Sequence, residues 1–335
     1  MSVAALQPTV AIVLCTYNGA EHIQEQMDSL LAQSWTVVVR VFDDSSCDET
    51  VQLLEPYKDK LAMTITINPE NIGYVANFEA GIAQVLSEGF QYIALCDQDD
   101  VWHCDRIATG MRRVQAIENQ FDHQVAVLAH SDLRMIDSSN NCVHPSYFDY
   151  RLYEIDHNRS LPTVLGQNGV MGNTILMNRT LAAMSYPFPQ QLHVHDYWLA
   201  VLAEMHGHRI LLERTLVDYR IHDDNASNST ESIKFGASKL FDGKSWRGFI
   251  TRDFRLPFKE DVRLNVIDVL LGKDARFPEP TEEQAHLLTV FRNYLVFDGA
   301  RFTLLRSMMS NGFFRKGLRH RIRLVFSTLL TKRYD

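Results

Sequence analysis

The sequence predicts an α/β protein on a mostly parallel, doubly wound sheet, followed by a helix-rich extension. Three observations carry this reading. Over the first 130 residues, short strand-like runs alternate with segments whose apolar residues recur at helical spacing. Such repeated strand–helix–strand units imply parallel strands covered on both faces. The predicted strands end in polar, often acidic residues, at the edge where ligands of these sheets bind.

Each element follows in order. Residues 10–15 form a short apolar run that ends in turn residues, Asn18-Gly19. Ile23, Met27, Leu30 and Leu31 repeat at helical spacing. The β-branched run 37–42 reads as a buried strand. Asp43-Asp44-Ser45-Ser46 ends it and is expected to start a helix limited by Pro56. Met63–Ile67 alternates as a third strand, and Val75, Phe78, Ile82 and Val85 mark a helix closed by Gly89. Tyr92–Cys96 is a fourth strand and 125–129 a fifth. Ile107, Met111, Val114 and Ile117 mark the helix between them. Past residue 130 the pattern loosens, with strands expected at 174–177 and 209–212 and a helix at 197–206. A polar stretch at 225–231 divides the chain into residues 1–225 and a helix-rich, basic region, 226–335.

Composition narrows the class. The chain has 335 residues, 46 % hydrophobic and 22 % charged, ordinary values for a globular protein with one large domain and an appendage. No apolar run reaches the ~18 residues of a membrane-spanning helix. The first eight residues lack a basic segment followed by an apolar core, so no secretory signal is expected. Cys15, Cys47, Cys96, Cys104 and Cys142 are odd in number and form no C-x-x-C pair. They are expected to be reduced thiols of a cytoplasmic protein. The net charge of −8 is uneven: residues 301–335 hold nine Lys/Arg against the single Asp335, which leaves −16 on residues 1–300. An acidic body argues against nucleic acid as a partner, whereas a basic end suits contact with an anionic surface.

The chemistry centres on Asp97-Gln98-Asp99-Asp100, directly after the strand Tyr92–Cys96. In extended backbone Asp97 and Asp99 share a face. Neighbouring carboxylates favour a hard cation between them, and Mg²⁺ or Mn²⁺ also takes phosphate oxygens from a substrate. A solvated acidic turn that caps the next helix is the plainer alternative. Neither G-x-G-x-x-G after the first strand nor G-x-x-x-x-G-K-[ST] occurs, which disfavours Gly-rich phosphate cradles.

Taken together, Cys15-Thr16-Tyr17-Asn18-Gly19, Val41-Phe42-Asp43-Asp44-Ser45-Ser46, Asn71-Ile72-Gly73, Cys96 to Trp102 and His195-Asp196-Tyr197-Trp198 resemble the inverting GT-A glycosyltransferases of family 2. The resemblance covers residues 8–225. With Tyr219-Arg220-Ile221-His222, it looks most like bacterial rhamnosyltransferase-type enzymes of surface polysaccharide assembly.

The resemblance implies a GT-A fold and a set of roles. Thr16, Tyr17 and Asn18 would line the base pocket, with Tyr17 stacking on a pyrimidine and Asp44 accepting from the base imide N–H. Asn71, Gly73 and Asn77 would border the donor sugar or pyrophosphate, and Asp97 would contact the ribose or, less directly, the metal. Asp99, with His222, would bind Mg²⁺ or Mn²⁺. Asp196 would be the general base, although His195 stands where the family usually has Glu. Gly172, Asn173, Trp198 and Arg220 would shape the acceptor site. Bland alternatives stand beside these: a turn and helix cap for Asp43-Asp44, an ordinary turn for Asn71 and Gly73, and a helix N-cap for Asp196. Trp198 reads equally as core packing and His222 as a structural histidine.

The implied reaction moves a sugar from a nucleoside-diphosphate sugar, dTDP-L-rhamnose or a UDP-sugar, to a hydroxyl of a lipid-linked oligosaccharide or glycan. A sugar-1-phosphate nucleotidyltransferase and an inactive nucleotide-sugar-binding subunit are the competing readings. In the tail, Leu318, Ile322, Val325, Phe326 and Leu329 fall on one helical stripe, flanked by Lys316, Arg319, His320 and Arg323. That pattern fits a helix lying on an anionic membrane, or packing on the acidic body. A cytoplasmic enzyme held peripherally on the inner face of the cell membrane is expected.

Overall fold

The computed structural model describes residues 8–121, 124–151, 153, 160–190, 192–222, 262–272, 274–296 and 298–313. The strands are β1 Val10–Thr16, β2 Val37–Asp43, β3 Met63–Ile67, β4 Tyr92–Cys96, β5 Val101–Trp102, β6 Ala126–Ile136, β7 Cys142–His144, β8 Leu176–Asn178 and β9 Gly207–Arg220. They join one sheet in the order β3-β2-β1-β4-β8-β6-β9-β5, with β7 paired to β6. The first four strands of that order run parallel. Beyond β4 the sheet is mixed: β8 is antiparallel to both β4 and β6, β6 runs parallel to β9, and β5 is antiparallel to β9.

Strand period explains the two cores. Along β1, Ala11, Val13 and Cys15 enter one apolar layer, while Val10, Ile12 and Leu14 enter the other. β4 repeats this with Ile93 and Leu95 against Ala94 and Cys96. Because both faces are covered, every residue of β1 is buried, which is why it reads as an unbroken apolar run. Helices α1 (Ile23–Leu31) and α4 (Arg106–Phe121) cover one face. Helices α3 (Tyr74–Ser87), α7 (Arg179–Ser185) and α8 (His195–His206) cover the other. The shorter helices are α2 (Thr50–Leu54), α5 (Tyr147–Tyr150) and α6 (Leu161–Gly166).

The C-terminal region is helical, with α9 (Val262–Leu271), α10 (Glu282–Leu295) and α11 (Arg301–Ser310). These helices extend the core that contains α8: Ile267, Leu288, Phe291 and Met308 belong to the same apolar layer as Trp198. A capping box between Thr281 and Gln284 starts α10, and Gln284 Nε2 also donates to the Met205 carbonyl. The basic helix expected beyond residue 313 lies outside the described residues. Among the described residues, no helix is long and apolar enough to cross a membrane.

Several expected boundaries differ, two of them at the site. Asp43 to Ser46 starts no helix; α2 begins at Thr50, because the carboxylates of Asp43 and Asp44 are committed to the preceding and following loops. The strand expected at 209–212 is part of the fourteen-residue β9, whose far end carries the polar sequence Asp218-Tyr219-Arg220.

Candidate active site

The carboxyl ends of β1, β2 and β4 meet at one edge, since Thr16 is in register with Asp43 and Leu14 with Cys96. Thr16 Oγ1 donates to Asp43 at 2.8 Å, and Ser46 closes the turn by donating its N–H to the same carboxylate at 2.8 Å. Asp44 is buried. Its carboxylate accepts the Ile72 N–H at 2.9 Å, the Gly73 N–H at 2.8 Å and Asn68 Nδ2 at 2.9 Å, which fixes the loop before α3. Gly73 has φ +84°, a left-handed conformation that glycine adopts without strain. Asn71 is exposed on this loop.

Tyr17 projects beyond β1 with 48 % exposure. Its backbone is held as if by another strand: Gln98 Oε1 accepts the Tyr17 N–H at 2.8 Å and Gln98 Nε2 donates to the Tyr17 carbonyl at 3.0 Å. Gly19 leaves room for that amide, because a Cβ there would overlap it. Asn18, at φ 47°, receives the Cys47 N–H on its side chain at 2.9 Å.

The acidic turn joins β4 to β5 and is pinned by the end of β9. Asp100 is buried and accepts from Asn173 Nδ2 at 2.5 Å and from the Arg220 N–H at 3.3 Å. The Arg220 guanidinium donates to the Asp99 carbonyl at 3.0 Å and to Glu25 at 2.5 Å. His222 Nε2 lies 2.9 Å from Asp99 Oδ2, and the His22 ring stands 5.5 Å from that of His222. Burial, then the charges of Asp99 and Asp196, push the Asp97 carboxyl up to about 7. Burial, then Asp99 and Asp97, hold Asp100 well above the usual carboxylate range.

Asp196 opens α8 and lies within electrostatic reach of Asp97. Burial pushes its carboxyl up to about 7, opposed by hydrogen bonds from the backbone of Tyr197, the side chain of Asn168 and the backbone of Gly172. Asn168 Nδ2 stands 2.8 Å from Asp196 Oδ1. His195 beside it is buried, its ring 4.4 Å from that of Phe78, and burial lowers it to about 4. Tyr74 donates its hydroxyl to the His193 carbonyl at 2.5 Å; burial, then the charges of Asp196 and Asp97, raise its hydroxyl above the ordinary tyrosine value.

The residues present fit a divalent cation that is completed by its substrate. Among the described residues no three His, Cys, Asp or Glu side chains converge as a full metal cage. One carboxylate and one imidazole do converge at Asp99 and His222, and Mg²⁺-type ions are commonly held by one or two protein ligands plus phosphate oxygens.

Sequence reasoning thus places Thr16, Tyr17, Asn18, Asp44, Asn71, Gly73, Asp97, Asp99, His222 and Asp196 around one strand edge. Four expected contacts are corrected. Asn77 is 1 % exposed and ties the Phe42 carbonyl to Asn68, so it holds the loop and does not border a sugar. Asn173 is buried under Asp100. Trp198 is fully buried, with its Nε1 donating to the Ser185 carbonyl and its ring edge-on to Phe277 at 4.8 Å. Arg220 is fully buried beneath the acidic turn. These three therefore do not line an acceptor site, while Gly172 touches the site through its N–H to Asp196. Sequence reasoning assigns no role to Gln98 and has no signal for Asn168; Gln98 lies inside the acidic motif, whereas Asn168 sits in an irregular loop.

Comparison with known proteins bears on the family and the fold. Residues 11–156 match the family described as Glycosyl transferase family 2. The dTDP-rhamnosyl transferase RfbG of Shigella flexneri is 25 % identical over 68 % of this chain and 78 % of its own length. The Escherichia coli UDP-Glc:alpha-D-GlcNAc-diphosphoundecaprenol beta-1,3-glucosyltransferase WfaP is 23 % identical over 65 % of this chain and 79 % of its own. In fold, the chain is similar to S. aureus TarS 1-349, with TM-score 0.55 at 16 % identity over 94 % of this chain and 77 % of that one. It is also similar to the Pyrobaculum calidifontis mannosyltransferase PcManGT, solved with GDP-Man and Mn²⁺, with TM-score 0.55 at 15 % identity over 97 % and 87 %. Residues 11–156 thus match glycosyltransferase family 2, and the fold is similar to solved glycosyltransferases of the GT-A type.

Proposed function

We propose that the protein is an inverting, metal-dependent transferase. In this reading it moves a sugar from dTDP-L-rhamnose or a UDP-sugar to a hydroxyl of a lipid-linked or polysaccharide acceptor in cell-surface glycan synthesis. The observation that carries the reading is the convergence of Asp99 and His222 at 2.9 Å beyond the carboxyl edge of the parallel strands, with Asp196 within electrostatic reach of Asp97.

The donor base lies against Tyr17, whose half-exposed ring suits stacking and whose backbone Gln98 holds in place. Asp44 already accepts three hydrogen bonds, and a carboxylate offers about four acceptor sites, which leaves one for an imide N–H. Thr16 and Asn18 border the base, Asn71 and Gly73 the diphosphate, and Asp97 the ribose. Asp99 and His222 hold Mg²⁺ or Mn²⁺ together with the diphosphate. When bound, the ion offsets the negative charge that the leaving diphosphate gains.

Asp196 takes the proton of the acceptor hydroxyl as its oxygen bonds to the anomeric carbon and the bond to the diphosphate breaks. A base with a pKa near neutrality suits that task. Asn168 and Gly172 orient the carboxylate. The basic segment after residue 313 draws the enzyme to anionic lipid; α11, which precedes it in sequence, carries Phe302 at 75 % exposure.

A thermal-shift screen of dTDP-, UDP- and GDP-sugars with Mn²⁺ or Mg²⁺ finds the donor, because a selective ligand stabilises the native state. Release of nucleoside diphosphate from that donor supports transfer. Release of pyrophosphate supports nucleotidyl transfer instead, and binding without turnover supports an inactive subunit.

A further inference from the structure

We infer that the outward face of α11, formed by Phe302, Arg306 and Met309, docks on an anionic lipid bilayer. The inference rests on the transferase reading for the kind of surface met, and adds to it a docking face within the described fold.

The two sides of α11 differ sharply in burial. Leu304, Leu305 and Met308 are buried. Phe302, Arg306 and Met309 recur at spacings of four and three residues, so they share one stripe on the other side. Phe302 is 75 % exposed and Met309 47 %. Arg306, Thr303 and Ser310 beside them are exposed as well. Packing fixes this orientation. Met308 belongs to the same apolar layer as Phe291 of α10. Just past the helix, the Phe313 ring stacks on Phe291 at 5.2 Å with planes 5° apart, and the Phe313 N–H donates to the Met308 carbonyl at 3.1 Å.

Charge selects the occupant. α11 contains no acid, and Arg301 and Arg306 open a run of nine Lys/Arg in which Asp335 is the one acid. Two bulky apolar side chains around a cation suit a bilayer with negative headgroups. The apolar groups enter the acyl boundary while the guanidinium stays at the level of the phosphates. A second copy or another protein fits less well. A ten-residue helix is about 15 Å long, and one face of it falls far short of the ~800 Å² per partner of a stable interface. A bilayer requires no matching shape. The face is also joined to the site. α10 packs on both α11 and α6. α6 leads into Asn168, whose Nδ2 donates to Asp196 at 2.8 Å. Docking at α11 therefore sets the loop that orients Asp196 at a fixed place relative to the lipid, as transfer to a lipid-linked hydroxyl requires.

The test is flotation of the full-length protein with phosphatidylcholine vesicles, with and without phosphatidylglycerol. The wild-type protein is expected to float with the anionic vesicles only, and less at about 1 M salt than at about 0.1 M. Phe302→Ser combined with Met309→Ser, and separately Arg306→Glu, are expected to weaken that binding by about tenfold or more with the basic segment still present. Thr303→Ser on the same face is expected to leave it unchanged. Melting temperature is expected to hold in all of them, because the altered side chains are exposed. Phe302→Trp is expected to keep binding and to add an emission that shifts to the blue on anionic vesicles. The inference is overturned if the wild-type protein ignores anionic vesicles at low salt. It is equally overturned if the α11 variants bind like wild type, which would leave attachment to the basic segment, or if the Phe302→Trp emission does not move. Light scattering covers the remaining occupant: a wild-type dimer that Phe302→Ser with Met309→Ser turns into a monomer would give the face to a second copy and overturn the lipid assignment. Failure of the transferase reading shows separately, as the absence of nucleoside diphosphate release from every sugar nucleotide by protein that still binds vesicles.

Discussion

His222 Nε2 stands 2.9 Å from the Asp99 carboxylate across 123 positions of chain, and Arg220, two residues earlier, donates to the Asp99 carbonyl. The exit of β9 thus grips Asp99 at both its side chain and its backbone. That grip holds the turn in place although Asp99 stands close enough to push the carboxyls of Asp97 and Asp100 upward.

This arrangement predicts how the metal site responds to substitution. Asp99→Asn should keep the fold, because the Arg220 bond goes to the backbone carbonyl, and should lose nearly all transfer. His222→Asn should raise the Mn²⁺ concentration needed for half-maximal rate with little change in melting temperature. A strong chelator should silence the wild-type protein. Full transfer in chelator would contradict the cation role.

The pH dependence follows from Asp196, whose carboxyl is pushed up to about 7 mainly by burial. A protonated carboxyl accepts no proton, so kcat/KM for the acceptor should fall about tenfold per pH unit below 7 and level off above it. Stability runs the other way. A carboxyl with a raised folded pKa contributes stability that is fully present below its unfolded value and is lost as pH rises through about 7. Asp196→Asn should therefore melt higher than wild type at pH 8, with the advantage gone near pH 4.

At Gly19 the expectation separates binding from folding. A Cβ there would overlap the Gln98 amide, the far end of a side chain able to move. Gly19→Ala should cost little stability but displace the amide that holds the Tyr17 backbone, weakening nucleotide affinity. Combined with Gln98→Ala, it should cause little further loss, because both changes remove the same support. Equilibrium nucleotide titration of the single and double variants checks this.

Trp198 tests the reassignment of the acceptor side. As a fully buried ring against Phe277 it should destabilise the fold by roughly 3–5 kcal/mol when cut to Ala. At a temperature where the variant remains folded, its acceptor KM should be close to wild type. Denaturant melts beside acceptor kinetics distinguish this from a loss confined to acceptor binding.

How much of this was legible in the sequence depended on whether the signal was local. Strand Tyr92–Cys96 was readable because residues buried on a sheet must be apolar whatever their partners, and the edge strand Met63–Ile67 because its apolar residues alternate with threonine. The acidic strand ends were readable for the converse reason, since carboxylates are rarely left at such an edge without a task. What escaped was contact between distant segments. Nothing local distinguishes an Asn77 or Arg220 that borders a ligand from one folded under a loop, and only the tertiary structure shows both with their hydrogen-bonding groups engaged inside the protein. The same holds for Trp198, where an aromatic residue after a motif suits sugar stacking and core packing equally. Asn168 was invisible because its partner, Asp196, lies 28 residues away across a loop with no periodicity.

The central claim, that Asp196 acts on the acceptor while the acidic turn holds the donor, is tested most directly by measuring Asp196→Asn in two assays at once. Titration calorimetry with the donor nucleotide and Mn²⁺ should give an affinity within about twofold of wild type, as expected for a site that shares no direct contact with the substitution. Transfer to acceptor at saturating donor should fall by roughly 10²–10⁴, the usual contribution of a general base. Transfer near the wild-type rate, or a loss of nucleotide affinity as large as the loss of rate, would contradict the account and leave Asp196 as the start of a helix.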